Sequence, residues 1–435
     1  MRVFSTQIVR LTLLVLCVSA GRAPAQEIRR AVPVNPPVAA TAPPVSTPAP
    51  ATPTPPRLVP IPPPNVPAVP ASVNDTAHFL AGLPVSEGSP LVALTQDPAW
   101  QRHAAFFNQA WTRLDAGQLA GLRTWEASFL PDATQPLPVV FYMFSGPDLL
   151  YAEQFFPNAR TYVLAGTEPI GPLPDILRYA GPSLGPALQN LDKSLNSVLN
   201  FSFFITKEMK TDLQREDLKG TLPIFYVFLA RSGKSITDIT FITLDKSGQA
   251  HISGPGEKAK GLTPGIRITF RGAPDAAPQT LYYFTTDLSD DGIRSQPGFI
   301  KFCEGHGAGY SLLKSASYLM FEGGFDAVQK FLLSHSKVIV QDDSGIPITD
   351  FDAAKWQLRF FGAYAGPIDV FKQHFQPQLQ AIYQRIHPGP LGFGIGYRWN
   401  SRQSTLIVAA RKGAAVSPPQ AEPPSESPPP DSTAQ

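Results

Sequence analysis

LPVVFYMFSGPDLLYAEQFFPNARTYVLAGTEP, residues 137–169, predicts a strand, a turn, a helix and a second strand. The apolar run 139–144 suits a buried strand, and the Ser-Gly-Pro-Asp sequence after it indicates a tight turn. Asp148 can cap the following helix, because its carboxylate can accept hydrogen bonds from the free amides of the first turn. Pro157 ends that helix, and residues 162–165 form the second buried strand.

The two strands of this stretch should be parallel neighbours in one sheet. A connection this short through a helix normally joins parallel strands, so the stretch predicts a β-α-β unit. Open sheets of this type bind ligands at the carboxyl ends of their strands. Ser145, Asp148 and Glu168 follow the two strands, and we therefore expect a functional site near them. Glu168, at a strand end, is expected to be exposed to solvent.

The rest of the folded region indicates an α/β class of mixed α+β type, in which antiparallel strands are added to a central mixed sheet. Short connections between apolar or alternating runs favour antiparallel pairing in the middle of the chain. A helix that includes Val328 leads into one of the later strands. The predicted strands lie at residues 222–230, 236–244, 265–271, 281–286, 337–341 and 356–361.

The carboxyl-terminal part of the folded region predicts a β-hairpin. Residues 391–399 alternate large apolar side chains with glycine or arginine, which is typical of a strand. Residues 404–410 can pair back with them across a turn. Upstream, Pro377 interrupts a helical stripe at 368–386, so a kink or two helices are expected there.

The two ends of the chain differ from this folded region. In residues 1–25, Arg2 and Arg10 lie near an apolar stretch that is too short to span a bilayer, and small residues follow it. This pattern predicts a cleaved signal peptide, and an uncleaved anchor stays open as the alternative. Residues 26–72 form a proline-rich linker, with 16 prolines between residues 31 and 72, and 414–435 is a proline-rich tail. The globular domain spans 73–413, and a split into two subdomains near residue 205 stays open.

Charge and cysteine content exclude several classes of protein. The whole chain has a formal net charge of +2, and removing Arg2, Arg10 and Arg22 with the signal leaves 33 basic and 34 acidic residues. This balance gives no global field that would favour nucleic acid or an anionic membrane. Cys303 is then the only cysteine, so no internal disulfide is possible. We expect an exported protein, periplasmic or extracellular, with no transmembrane span in its mature chain.

Two motifs resemble nucleotide-binding turns, and neither carries the residues that the chemistry needs. Ser232-Gly233-Lys234-Ser235 lacks the earlier glycine of a P-loop and precedes a β-branched run, so it predicts a polar hairpin turn. In the turn after the first strand, Gly146 is the only glycine and Pro147 removes an amide donor. No cofactor is therefore predicted.

Three groups of residues have side chains that could form metal or acid sites. Asp287, Ser289 and Asp291 match the opening of a calcium loop, but Gly298 stands where the bidentate carboxylate belongs, which favours a capped strand-to-helix turn. Cys303 and His306 have the spacing of half a zinc site, although a glycine-rich surface loop is the simpler interpretation. The Asp342-Asp343-Ser344-Gly345 sequence could hold paired acids, yet the same residues commonly form turns.

Two functional hypotheses remain. The first is a noncatalytic domain that binds an envelope or extracellular partner or ligand, tethered by its proline-rich arm. The second is an exported hydrolase that uses carboxylates at strand ends, with Asp148, Glu168, Asp287 and Asp342 as candidates. Carboxylates that converge in a deep cleft would favour the enzyme.

Overall fold

The structure, a computed structural model, describes residues 71–130, 137–201, 218–257 and 261–413, which fall in one compact unit, Thr54–Gln435. The predicted signal peptide, the proline-rich arm apart from Ala71 and Ser72, the tail and the open split near residue 205 lie outside the described residues. Ala71 begins the first helix, two residues before the predicted start of the domain.

The described residues form ten strands and ten α-helices. The strands are β1 (Val140–Tyr142), β2 (Thr161–Gly166), β3 (Ser235–Leu244), β4 (Ala250–Ile252), β5 (Thr263–Arg271), β6 (Gln279–Thr285), β7 (Gly309–Leu313), β8 (Ser336–Gln341), β9 (Trp356–Gly362) and β10 (Thr405–Arg411). The helices are α1 (Ala71–Leu80), α2 (Pro98–Leu114), α3 (Ala120–Phe129), α4 (Leu149–Phe155), α5 (Leu184–Phe201), α6 (Leu222–Arg231), α7 (Asp290–Ser295), α8 (Gly298–Gly305), α9 (Asp326–His335) and α10 (Pro377–Ile386).

All ten strands belong to one mixed sheet, in the order β4-β3-β5-β6-β2-β1-β7-β8-β10-β9. The central strands β6, β2, β1, β7 and β8 are parallel, whereas β3, β4 and β5 at one side and β9 and β10 at the other pair antiparallel. The predicted mixed α/β class with added antiparallel strands is confirmed.

The predicted β-α-β unit is also confirmed. β1 and β2 are parallel neighbours, with Val140 opposite Tyr162, and α4 connects them. Asp148 caps α4, since its side chain accepts a hydrogen bond from the Tyr151 amide. Phe144, predicted at the end of the strand, instead lies in the turn with φ of +59° and is half-buried.

Helices cover both faces of the sheet because strand side chains alternate between the faces. Val140 and Tyr142 of β1 belong to a core that includes the apolar side chains of α4. Phe141, one residue along, belongs to a second core that includes Phe331 and Leu332 of α9. The sheet is therefore buried on both sides at β1, and α4 and α9 lie on opposite faces.

Residues 222–230, predicted as a strand, form α6 instead. Every residue from Leu222 to Ala230 is buried, so the helix is apolar all round and shows no periodicity that distinguishes it from a buried strand. The predicted hairpin turn at Ser232-Gly233-Lys234-Ser235 is consequently wrong, because these residues connect α6 to β3. Lys234 forms an ion pair of 2.8 Å with Glu153 on α4.

The predicted strand at 391–399 and its hairpin are wrong. These residues form turns with one isolated bridge, between Ile395 and Arg398, and Gly396 has φ of +69°, which a strand does not allow. The later half of the prediction is confirmed as β10, which pairs with β8 and β9. The expected break at Pro377 is confirmed, since a 3₁₀ helix at Asp369–His374 precedes α10.

Candidate functional site

The connections of the parallel strands change direction between β1 and β7. These strands are neighbours, but the chain leaves β1 toward α4 on one face and leaves β7 toward α9 on the other. In open α/β sheets, a crevice opens at the carboxyl ends of two strands with this relationship, and ligands commonly bind there. The site expected from the sequence is therefore best sought between β1 and β7.

An ion pair between Lys314 and Asp148 occupies this position. Lys314 directly follows β7, and its Nζ lies 2.7 Å from Asp148 Oδ2, with the two side chains 1% and 2% exposed. Tyr142 donates a hydrogen bond of 2.8 Å to the same oxygen. The Lys314 ammonium also lies 3.9 Å from the centre of the Tyr151 ring, within cation–π range. Burial lowers the pKa of Lys314, and the carboxylates of Asp148 and Asp342 oppose that shift.

Asp342 and Asp343 follow β8 beside this pair. Asp342 Oδ1 accepts hydrogen bonds from the Ser344 amide and hydroxyl, at 2.9 and 2.5 Å, and Oδ2 accepts one from the Ser315 amide at 2.8 Å. Asp343 Oδ2 accepts a hydrogen bond of 2.7 Å from Tyr318. The predicted turn at these residues is present, but its two carboxylates are buried rather than exposed.

Burial and mutual repulsion perturb the titration of this acidic pair. Burial raises the pKa of Asp342, while its hydrogen bonds with Ser344 and Ser315 act in the opposite direction. Burial and the nearby charge of Asp342 raise the pKa of Asp343 to about 7. Near neutral pH, Asp343 is therefore part-protonated beside Asp342.

Residues 395–398 lie over this group of side chains. A Cβ atom on Gly396 would lie 2.0 Å from Asp342 Oδ2, so only glycine allows the backbone to pass there. Tyr397 donates to the Ser315 carbonyl at 2.9 Å, and its hydroxyl is 2.7 Å from Ser317 Oγ. The ion pair and the acids are consequently enclosed by the chain, not open to solvent.

The loop after Lys314 adopts an uncommon backbone conformation. Ser315, Ser317 and Tyr318 have φ of +54°, +56° and +55°, a region that non-glycine residues seldom occupy. Such conformations persist only when surrounding contacts fix them, and they concentrate at functional sites. Ser315 Oγ is buried and has no hydrogen-bond partner within the described parts of the chain.

The point between β1 and β7 at which the connections change direction is called the switch, and Glu168 and Ser145 are buried on its β2 side. Glu168, expected to be exposed, is 1% exposed, and Tyr283 donates hydrogen bonds to its carbonyl at 3.0 Å and to Oε2 at 3.2 Å. Thr285 donates to the same carbonyl at 2.7 Å. Ser145 Oγ donates to the Gly146 and Ala165 carbonyls. The expectation of an exposed Glu168 is wrong, because β6 lies beside β2 and covers it.

The calcium-like sequence forms a capped turn between β6 and α7. Asp287 accepts a hydrogen bond from the Ser289 amide at 2.9 Å, and Ser289 caps the helix through the Gly292 amide at 3.1 Å. Asp291 points to Arg294, 2.8 Å away, and both side chains are largely exposed. The interpretation as a capped strand-to-helix turn is confirmed.

The prediction that Cys303 and His306 lie in a surface loop is wrong. Cys303 is fully buried in α8, and His306 follows the last turn of that helix. Burial raises the pKa of the Cys303 thiol and lowers the pKa of His306 to about 4. Across the described ranges, no group of three or more histidine, cysteine, aspartate or glutamate side chains is arranged to hold a metal ion.

An open cavity of about 420 Å³ lies at the carboxyl ends of β2 and β6. Its walls include the loop after β2, the loop at 253–257 and part of β5. Among its described lining residues, Glu257 is the only one that ionises; hydroxyl groups come from Thr167, Ser253 and Thr285. The remaining described lining is mainly proline, glycine and apolar side chains.

No known family model, curated protein or solved structure matches this chain. No described helix has both the length and the apolar character needed to cross a membrane.

The sequence alone did not identify Lys314 or the four tyrosines around the switch. The signal that could have found Lys314 is the short apolar run Tyr310-Ser311-Leu312-Leu313 before it, which is β7. Tyr142, Tyr151, Tyr318 and Tyr397 carry no pattern of their own. They come together only when three strands meet at one edge of the sheet.

Proposed function

We propose that the folded region is a noncatalytic module that binds a small, largely apolar ligand in the cavity at the carboxyl ends of β2 and β6. The observation that carries this proposal is the open cavity of about 420 Å³ at the carboxyl ends of β2 and β6, which is separate from the filled crevice between β1 and β7 but lies at the same carboxyl edge of the parallel strands. A cavity of this size accommodates a small molecule.

The chemistry of the lining defines the class of ligand. Phe241, Ile242 and the prolines supply apolar contacts. Thr167 supplies a hydroxyl group at a strand end, and the Thr285 hydroxyl, which already donates to the Glu168 carbonyl, can accept a hydrogen bond. Glu257 Oε2 already accepts a hydrogen bond of 2.9 Å from the Gly254 amide. The ligand is therefore an uncharged molecule with an apolar body and at least one hydrogen-bonding group.

The state of the carboxylates supports binding over catalysis. Asp148 is occupied by Tyr142, Lys314 and the Tyr151 amide, and Asp342 by Ser344 and Ser315. General acid–base catalysis requires a carboxyl group within reach of a substrate. Neither acid lines the open cavity.

A dye-binding experiment tests the proposal. Gly254 has room for a Cβ atom, whose nearest neighbour would be Glu257 Oε2 at 3.8 Å, and its backbone accepts a side chain, so Gly254→Trp should fill the cavity without disturbing the fold. We expect a neutral environment-sensitive dye to bind the wild type and to bind Gly254→Trp at least about tenfold more weakly, or about 1.4 kcal/mol. Gly88→Trp is the matched control, because Gly88 also has open space and does not line the cavity. Equal binding by all three proteins would place the ligand elsewhere.

The proposal includes export of the chain, with the proline-rich arm at residues 26–72 as the tether of the folded region. Its support is the amino-terminal sequence, in which Ala23-Pro24-Ala25 follows the apolar stretch. Expression of the full chain in a bacterial host, followed by cell fractionation and intact-mass analysis, tests it. We expect the chain outside the cytoplasm to begin at Gln26; a chain with Met1 in the cytoplasmic fraction contradicts export.

A hydrolase is the second candidate, and one observation favours it. Asp148 and Asp342 both act on the charge of Lys314 at the switch between β1 and β7, and Ser315 Oγ nearby is buried without a partner among the described residues. Displacement of residues 395–398 would expose this group. Hydrolysis of ester or glycoside substrates that disappears in Asp342→Asn, while Asp287→Asn keeps it, would replace the binding proposal with this one.

A further inference from the structure

A second surface feature, an open groove of about 630 Å³, lies between α8 and α9 on the face opposite α4. Its lining includes the apolar side chains of Ile300, Ala327, Phe331 and Leu333. These residues form a hydrophobic floor, since they belong to or pack against the core on this face of the sheet. The groove is separate from the cavity at β2 and β6, with which it shares no lining residue.

The groove carries an excess of positive charge. Lys330, Lys355 and Arg411 line it, against one acid, Glu304. Lys330 makes no ion pair with any described residue, and Lys355 pairs only at 3.4 Å with Asp352, where both side chains are exposed. Exposed pairs of this kind contribute little, so the Lys355 charge remains available to a ligand.

Arg411 is fixed at the edge of the groove. Its Nε donates to the Ser336 carbonyl at 2.9 Å, a second nitrogen donates to the Leu333 carbonyl, and the guanidinium lies 4.9 Å from the centre of the Trp356 ring. These contacts hold the cation in place and reduce the entropy that binding would cost. They also fix the end of β10 beside the groove.

The chain continues from this edge into an acidic segment. The Lys412 amide donates to the Lys355 carbonyl at 2.9 Å, so residue 414 follows within two residues of a groove contact. Residues 414–435 contain Glu422, Glu426 and Asp431, seven prolines and no lysine, arginine or histidine. The prolines limit the conformational entropy that this segment loses on binding.

Chain length and tethering favour this segment as the occupant. Glu422 is nine residues beyond Gly413, and nine residues extend to about 30 Å, enough to return to the groove. A short tether gives an effective concentration on the order of millimolar, so weak contacts suffice. The amino-terminal arm is a poorer match, because residues 31–72 carry a single charge, which is Arg57.

We infer that the acidic proline-rich segment 414–435 docks in the groove between α8 and α9 of its own chain. Its prolines contact the apolar floor, and its carboxylates lie near Lys330, Lys355 and Arg411. The segment thereby covers a surface that would otherwise attract anionic partners.

Hydrogen–deuterium exchange of the full chain tests this inference. At 50 mM salt the amides of 414–435 should exchange at least about threefold more slowly than at 500 mM, because salt screens the ion pairs. In Lys330→Glu/Lys355→Glu, the amides of 414–435 should exchange at the fast rate at both salt concentrations. Lys372→Glu is the matched control, an exposed lysine outside the groove, and should behave as the wild type.

Three results would overturn the inference. Equal exchange of the segment in the wild type and in Lys330→Glu/Lys355→Glu would show that the groove does not hold it. Protection that disappears on hundredfold dilution would assign the groove to the segment of a second copy. Carbodiimide cross-links from Glu422 or Glu426 spread evenly over surface lysines, including Lys372, would show no preferred site; the inference requires them to concentrate on Lys330 and Lys355.

Discussion

Lys314 and Asp148 form a buried ion pair, with Nζ 2.7 Å from Oδ2, at the carboxyl ends of β7 and β1. The pair joins two strands whose connections leave the sheet on opposite faces. It therefore fills the crevice that a ligand would otherwise enter.

Removal of one partner of this pair should be strongly destabilising. Lys314→Met leaves the Asp148 charge buried without its cation, which typically costs about 3–5 kcal/mol of unfolding free energy. Asp148→Asn/Lys314→Met should recover much of that loss, because the unpaired charge at residue 148 is gone. Urea unfolding of the two single variants and the double variant measures the coupling. Asp291→Asn is the control, since its pair with Arg294 is exposed and should give no measurable change.

The stability of the fold should fall as pH rises toward 7 because of Asp343. Burial and Asp342 raise its pKa to about 7 in the folded state, above its unfolded value of about 3.9. Between these values the folded protein binds the proton and the unfolded chain releases it, so the contribution is present at low pH and is lost as pH rises. Asp343→Asn removes this titration, and the wild type should lose up to about 1.4 kcal/mol per pH unit relative to it.

Unfolding free energies of both proteins at pH 5, 6, 7 and 8 provide the measurement. Burial also raises the pKa of Glu126 to about 7 and lowers that of His306 to about 4. As pH rises, Glu126 therefore lowers the free energy of unfolding and His306 raises it. Both contributions cancel in the difference between wild type and Asp343→Asn. Parallel curves would mean that Asp343 is ionised throughout this range.

Glu168→Ala should cost about 1–3 kcal/mol, because it removes an acceptor from the buried Tyr283 hydroxyl. An exposed Glu168 at a strand end would instead change the free energy of unfolding only slightly. Glu168→Gln retains an acceptor and should cost less than the alanine variant. Thermal or urea unfolding compares them, and a Glu168→Ala cost under about 1 kcal/mol would show that the main-chain carbonyl of residue 168 alone satisfies the Tyr283 hydroxyl.

Gly396→Ala tests the close approach of residues 395–398 to Asp342. The new Cβ would clash with Asp342 Oδ2, and the alanine would have to adopt the left-handed backbone conformation of Gly396. We therefore expect the free energy of unfolding to fall by at least about 2 kcal/mol. Gly389→Ala is the matched control, because its Cβ position is open and its backbone is ordinary; its effect should stay within about 0.5 kcal/mol. Similar losses in both variants would indicate a general loop effect instead of a specific contact.

Local sequence patterns predicted the parts of the fold in which neighbouring residues carry the information. The alternation of Ile266, Ile268 and Phe270 with polar residues identified β5, and Asp148 after an apolar run identified the cap of α4. Residues 222–230 defeated the same approach, because a helix buried on every side has no polar face. Residues 391–399 defeated it for another reason: Gly396 allows a close contact with Asp342 and Gly394 one with Trp399, and no alternating pattern reveals such contacts.

The candidate site was predictable only in part. Asp148 and Asp342 were named because each follows an apolar run, and both lie around Lys314. Glu168 was placed at the correct strand end but was assigned the wrong exposure, since its burial depends on β6, which is more than a hundred residues further along the chain. Strand order is a long-range property, and no local pattern specifies which strand becomes the neighbour of which.

The position of β10 has a consequence for how the chain reaches its folded state. β10 is the last strand in the described residues, yet it lies between β8 and β9 and pairs with both. Until residues 405–411 leave the ribosome, β8 has an open edge and β9 has no place in the sheet. Unpaired edges invite aggregation. A chain interrupted before Thr405 should therefore be a client for chaperones and proteases, even though nine of the ten strands in the described residues have already been synthesised.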